Sequence, residues 1–123
     1  MQALVDSGAA AHVLPATILE DYPVEDSNHK REVKYMTADG NELPDLGTKQ
    51  VPFRTREGHD CGVKWQVADI KRLLLSVTTL TAAGNKIHFD EHGGSITTKD
   101  GQKTMKFYRQ NGVYVLDLWV PLF

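Results

Sequence analysis

Ala3-Leu4-Val5-Asp6-Ser7-Gly8-Ala9 begins as an apolar run and ends abruptly on a carboxylate, a hydroxyl and a glycine. The apolar residues extend as a strand, and each of the three that follow favours leaving it. Asp and Ser bond their own backbone, and Gly adopts dihedrals closed to other residues. The segment therefore puts Asp6 at a strand end, where a sharp turn projects its side chain into a cleft. Ser7 is then free to hydrogen-bond a carboxylate or an opposing chain, and Gly8 lets neighbouring backbone approach closely. Taken alone, the tripeptide is turn chemistry of a kind common at strand ends.

Working outward, turn signals recur at short intervals. Val33, Tyr35 and Thr37 alternate with Lys34 and Met36, the period-2 pattern of a half-buried strand. Asp39-Gly40 separates this stretch from another over 49–54, and Glu57-Gly58 through Gly62 separates that from 63–67. His92-Gly93-Gly94 divides 86–89 from 95–98, Asp100-Gly101 leads into 103–108, and Asn111-Gly112 leads into 113–120. Such dipeptides suit tight hairpins because their residues tolerate positive φ. Val63, Trp65 and Val67 form an alternating core face. Two stretches read as short helices: Pro15 to Leu19, with Pro in the first turn, and Ser76 to Ala83, with a capping Ser and Gly84 just beyond. Leu75 and Leu80 would anchor the second. The expectation is an all-β, mainly antiparallel fold with one or two short helices, in a single domain over residues 1–123.

Composition excludes several functions. The 123 residues carry 14 basic and 16 acidic side chains, for a net charge of −2, so no positive surplus tracks a phosphate backbone and no direct nucleic-acid binding is expected. The longest apolar stretches, near 73–77 and 113–116, are too short to span a bilayer, so no membrane partner is expected. A lone Cys61 leaves no internal disulfide and fits a reducing compartment. It reads as an inert thiol in a polar turn beside Gly62, with His59 its only basic neighbour. His59, Cys61, His88 and His92 lack the spacing of a zinc set; no metal or cofactor is expected. His12 reads as a packed or hydrogen-bonded histidine. Val113, Val115, Trp119, Val120, Leu122 and Phe123 form an apolar tail expected to pair with another chain or with adjoining sequence.

Several blocks together resemble the retropepsin-like aspartic proteases of long-terminal-repeat retrotransposons, most closely the Copia type. Asp6-Ser7-Gly8-Ala9 matches that family's active-site motif, and His12 stands at the position, six residues after Asp6, where Copia-type members carry a histidine. Ala38-Asp39-Gly40-Asn41-Glu42-Leu43-Pro44 with Gly47 is similar to the flap hairpin. Leu74-Leu75-Ser76-Val77, then Leu80 and Gly84, is similar to the second block, with Ser76 where retroviral members have Gly. Ile87, Phe89 and Asp100-Gly101 continue that block, and residues 111–123, beginning Asn111-Gly112-Val113-Tyr114-Val115-Leu116, look like the edge of the link to the integrase region. The resemblance implies a retropepsin-like acid protease fold and an endopeptidase that processes its own Pol polyprotein in the cytoplasm, within the retrotransposon particle. It implies Asp6 as the catalytic group, Ser7, Gly8 and Ala9 as the supporting turn, and Asp39, Gly40 and Asn41 as the flap over the substrate.

Carboxylate-driven peptide hydrolysis needs two carboxyls sharing one proton. Only one Asp-(Ser/Thr)-Gly occurs in this sequence, so the resemblance implies a homodimer with one Asp6 from each chain. Only five residues precede Asp6, which keeps a second expectation open: an inactive, truncated polyprotein segment, or a dimerising or peptide-binding β module.

Overall fold

The computed structural model describes residues 1–25, 34–36, 42–44 and 46–120, with backbone alone at 34–36 and 42–44. Eleven strands and one short helix appear among them: β1 (Gln2–Asp6), β2 (Val13–Pro15), β3 (Lys34–Met36), β4 (Glu42–Pro44), β5 (Thr48–Thr55), β6 (Asp60–Ala68), β7 (Leu73–Ser76), α1 (Val77–Ala82), β8 (Lys86–Phe89), β9 (Gly93–Thr97), β10 (Thr104–Gln110) and β11 (Val113–Trp119). The protein is thus mostly β, as the turn spacing predicts.

Nine strands form one sheet in the order β1-β7-β2-β6-β5-β11-β10-β9-β8, and β11 also pairs with β1. That extra pairing closes the first six strands into a ring, from which β10, β9 and β8 extend as a wing. Consecutive strands from β8 to β11 pair antiparallel, as does β5 with β6. Two pairings are parallel, β1 with β7 and β2 with β6, and both involve the strands flanking Asp6. A local hairpin pattern cannot foresee them, because parallel neighbours lie far apart in sequence.

Alternation decides which faces are buried. In β5, Val51, Phe53 and Thr55 point inward while Gln50 and Arg54 face water. Trp65 and Phe53, both fully buried, meet edge to face with ring centroids 5.2 Å apart. Val67 is buried and Val63 packs against the core, so the alternating face read from β6 is core. Ile96, Met105 and Phe107 bring the wing into the same cluster.

Three local expectations change. Pro15 ends β2 instead of starting a helix: it lies opposite Ala68 on β6, and the Ala16 amide donates to the Ala68 carbonyl at 3.0 Å. Two turns follow, closed by the Ile18 amide on the Pro15 carbonyl and the Tyr22 amide on the Leu19 carbonyl, and Leu19, with φ of 53°, leaves helical dihedrals altogether. Cys61 lies within β6, half-buried, with its Sγ 3.6 Å from the Met105 thioether, and not in a turn. Gly93 and Gly94 belong to β9, where a Cβ on Gly94 would overlap the His88 carbonyl and the Phe107 ring. Glycine is required there for close approach of three strands. Asn111 and Gly112, with φ of 51° and 81°, do form the tight turn expected of them.

Gly94→Ala should therefore destabilise the fold by about 1–3 kcal/mol through overpacking, read as a lower urea midpoint with an unchanged slope. An unchanged midpoint contradicts the packing described at this crossing.

Candidate active site

β1 delivers Asp6 as its last residue, level with Ser76 at the end of β7. The chain then turns through Ser7 to Ala9 and returns as β2, with β7 lying between the two arms. The Gly8 amide donates to Asp6 Oδ1 at 2.7 Å, an Asx-type bond that fixes the orientation of the carboxylate. A Cβ at Gly8 would sit 3.3 Å from that same oxygen, so the absent side chain leaves Asp6 its place. Asp6 is half-buried, while Ser7 and Gly8 are exposed; the turn presents its outer face to solvent.

Beneath the turn lies Ser76, which is completely buried. Its hydroxyl donates to the Ala9 carbonyl at 2.7 Å and accepts from the Thr79 amide at 3.0 Å, capping α1. Its own amide donates to His12 Nδ1 at 2.9 Å. Thr79 Oγ1 adds a 3.3 Å bond to the Ala10 carbonyl. The His12 carbonyl accepts from Gln66 on β6, and its ring lies 5.7 Å from that of Trp65. His12 is thus packed and hydrogen-bonded, and burial pushes its pKa below the ordinary value.

Of the sequence-derived set, the structure brings Asp6, Ser7, Gly8 and Ala9 into one braced turn. Asp39, Gly40 and Asn41 fall between β3 and β4, which pair antiparallel, and lie outside the described residues. Leu122 and Phe123 of the apolar tail also lie outside them. The rest of that tail does not wait for another chain: Val113–Trp119 pair as β11 with β1, β5 and β10 of the same chain, Val115 is buried and Val120 packs against the core, while Val113 and Trp119 remain exposed.

Sequence reading missed one wall of the site. A depression beside Asp6 is lined by Leu4, Val5, Ser7, Gly112, Val113 and Tyr114, so β11 forms one wall of the site. Tyr114 is held there by edge contacts to Phe89 and Phe107, at 5.0 and 5.8 Å, and by its hydroxyl donating to the Asp90 carbonyl at 2.9 Å. No local pattern announces this neighbour of Asp6; it follows from the β1–β11 pairing. Ser76 was legible from its capping position before α1 and from its place in the second block, but its bonds to Ala9 and His12 depend on β7 lying between the arms.

Among the described residues, no group of three His, Cys, Asp or Glu side chains is placed to hold a metal ion. Nor is any helix among them long and apolar enough to cross a membrane. The chain matches no protein-family model and no curated protein. A single carboxylate fixed on an exposed turn can accept or donate one proton. To act as base and acid in one step it needs a second proton-exchanging group close by.

Ser76→Ala removes the hydroxyl from a fully buried site and strands the Ala9 carbonyl and the Thr79 amide, so a loss of about 1–3 kcal/mol is expected. Denaturant unfolding measures it, and a variant as stable as the parent contradicts the bracing role.

Proposed function

We propose that this chain is one half of a retropepsin-like aspartic endopeptidase of the Copia retrotransposon type, cleaving the polyprotein that contains it. The observation that carries the reading is the braced turn: a strand-end Asp followed by Ser and Gly, its carboxylate held by the Gly8 amide, with β7 set between its two arms. The sequence blocks around Asp6, Asp39–Asn41 and Leu74–Gly84 support it in the same order as in that family.

In this reading two chains meet on the exposed face of the turn, and Asp6 and Asp6 of the partner subunit share one proton. Two carboxylates that close cannot both ionise, so the pair holds a single negative charge over a broad acidic range. The ionised member takes a proton from water as that water attacks the scissile carbonyl. The protonated member donates to the carbonyl oxygen, and the proton then passes to the leaving amine. The depression walled by Leu4, Val113 and Tyr114 receives substrate beside the carboxylate. As the flap that the resemblance implies, Asp39, Gly40 and Asn41, in the chain between the antiparallel β3 and β4, would offer main-chain partners to an extended peptide.

Asp6→Asn should fold and sediment as the parent does while losing cleavage of a peptide spanning a polyprotein junction. Parent activity should require a dimer and fall away above neutral pH, as the shared proton is lost. Undiminished cleavage by Asp6→Asn contradicts the proposal; a strictly monomeric, non-cleaving parent that still binds peptide favours the β-module alternative.

A further inference from the structure

His12 lies buried next to the braced turn, with 9% of its surface left to solvent. Its Nδ1 accepts the Ser76 amide, which assigns the neutral ring's proton to Nε2. Ser76 in turn holds Ala9, the residue that closes the Asp6 turn. We propose that His12 is a positioning residue that acts only when neutral: a proton arriving from water on Nδ1 sets two donors face to face, breaks the bond to the Ser76 amide, and loosens the turn that orients Asp6. The consequence for catalysis rests on the endopeptidase reading above; the opening of the clamp does not.

The surroundings of the ring favour such a switch. β6 contributes Trp65 and Gln66, and β7 contributes Ser76, none of them ionisable in the relevant range. Lys49 on β5 lies opposite Trp65 in register, yet its Nζ turns away to the Leu19 and Ile18 carbonyls at 2.9 and 3.5 Å. Asp6, level with Ser76, turns its carboxylate to the Gly8 amide. Among the described residues, no carboxylate pairs with the His12 ring, and desolvation by burial lowers its pKa from the ordinary value. Because the unfolded chain takes up the proton more readily than the folded one, the stability contributed by neutral His12 is complete above the unfolded value. It is lost as pH falls from there through the folded value. Activity should thus have an acid edge that follows the protonation of His12.

Two measurements test this. In the parent protein, nitrogen-15 spectra should show the Nε2–H tautomer of His12 near neutrality. On acidification the Ser76 and Ala9 amide resonances should move with the titration of that ring, a readout that requires no catalysis. His12→Asn keeps an acceptor oxygen where Nδ1 stood but cannot titrate, so it should retain cleavage near neutrality and extend it to lower pH, with the gain appearing in kcat and not in KM. His12→Leu should lose cleavage throughout. Ser76 and Ala9 amides that stay fixed while His12 titrates overturn the proposal, as does a folded His12→Asn variant with the parent's acid edge. Amides that move with His12 in a protein that never cleaves peptide uphold the clamp and reject the endopeptidase reading.

Discussion

The bracing of the Asp6 turn by one buried serine is the constraint on which the rest of the site depends. β7 lies between β1 and β2, so the two arms of the turn are held apart and its shape depends on what the end of β7 offers them. Ser76 offers an amide to His12 and a hydroxyl that both donates to Ala9 and accepts from Thr79. Inside a protein, where water cannot substitute, every one of these groups is costly to leave unmade. The same residue ends a strand, caps a helix and closes a turn, which couples the carboxylate's orientation to the packing of α1.

Closure of the ring by β11 is the second dependence. This strand pairs with β10 over its first residues, with β1 over its middle, and with β5 at its end. It thereby fixes the strand that carries Asp6 and at the same time sets Val113 and Tyr114 beside the carboxylate. The wing contributes Ile96, Met105 and Phe107 to the core, so it is joined to the ring by packing as well as by hydrogen bonds. Lys49 shows the local cost of such packing: it is 2% exposed, with its ammonium bonded to two loop carbonyls after β2.

Local chemistry made much of this legible. Asp-Ser-Gly after an apolar run placed Asp6 at a strand end, Ser76 and Gly84 bounded the helix, and Asn111-Gly112 formed the turn their tolerance of positive φ allows. Legibility failed where distant chain decides the outcome. Pro15 has a local preference for a helix start, and pairing with β6 overrode it. Gly94 looks like a turn residue until the crossing of β8, β9 and β10 is seen, and Cys61 looks like turn chemistry until Met105 packs on it. Val113 gave no sign of standing beside Asp6, because only the long-range β1–β11 pairing puts it there.

The central claim is that the working unit takes one carboxyl from each of two chains, and subunit mixing tests it most directly. Parent protein and the Asp6→Asn variant are exchanged at constant total concentration, and peptide cleavage is followed as the parent fraction falls. Random pairing predicts activity proportional to the square of that fraction, so an equal mixture keeps about one-quarter of the parent rate. A linear decline, with about one-half remaining in the equal mixture, would mean that each chain acts alone and would contradict the account.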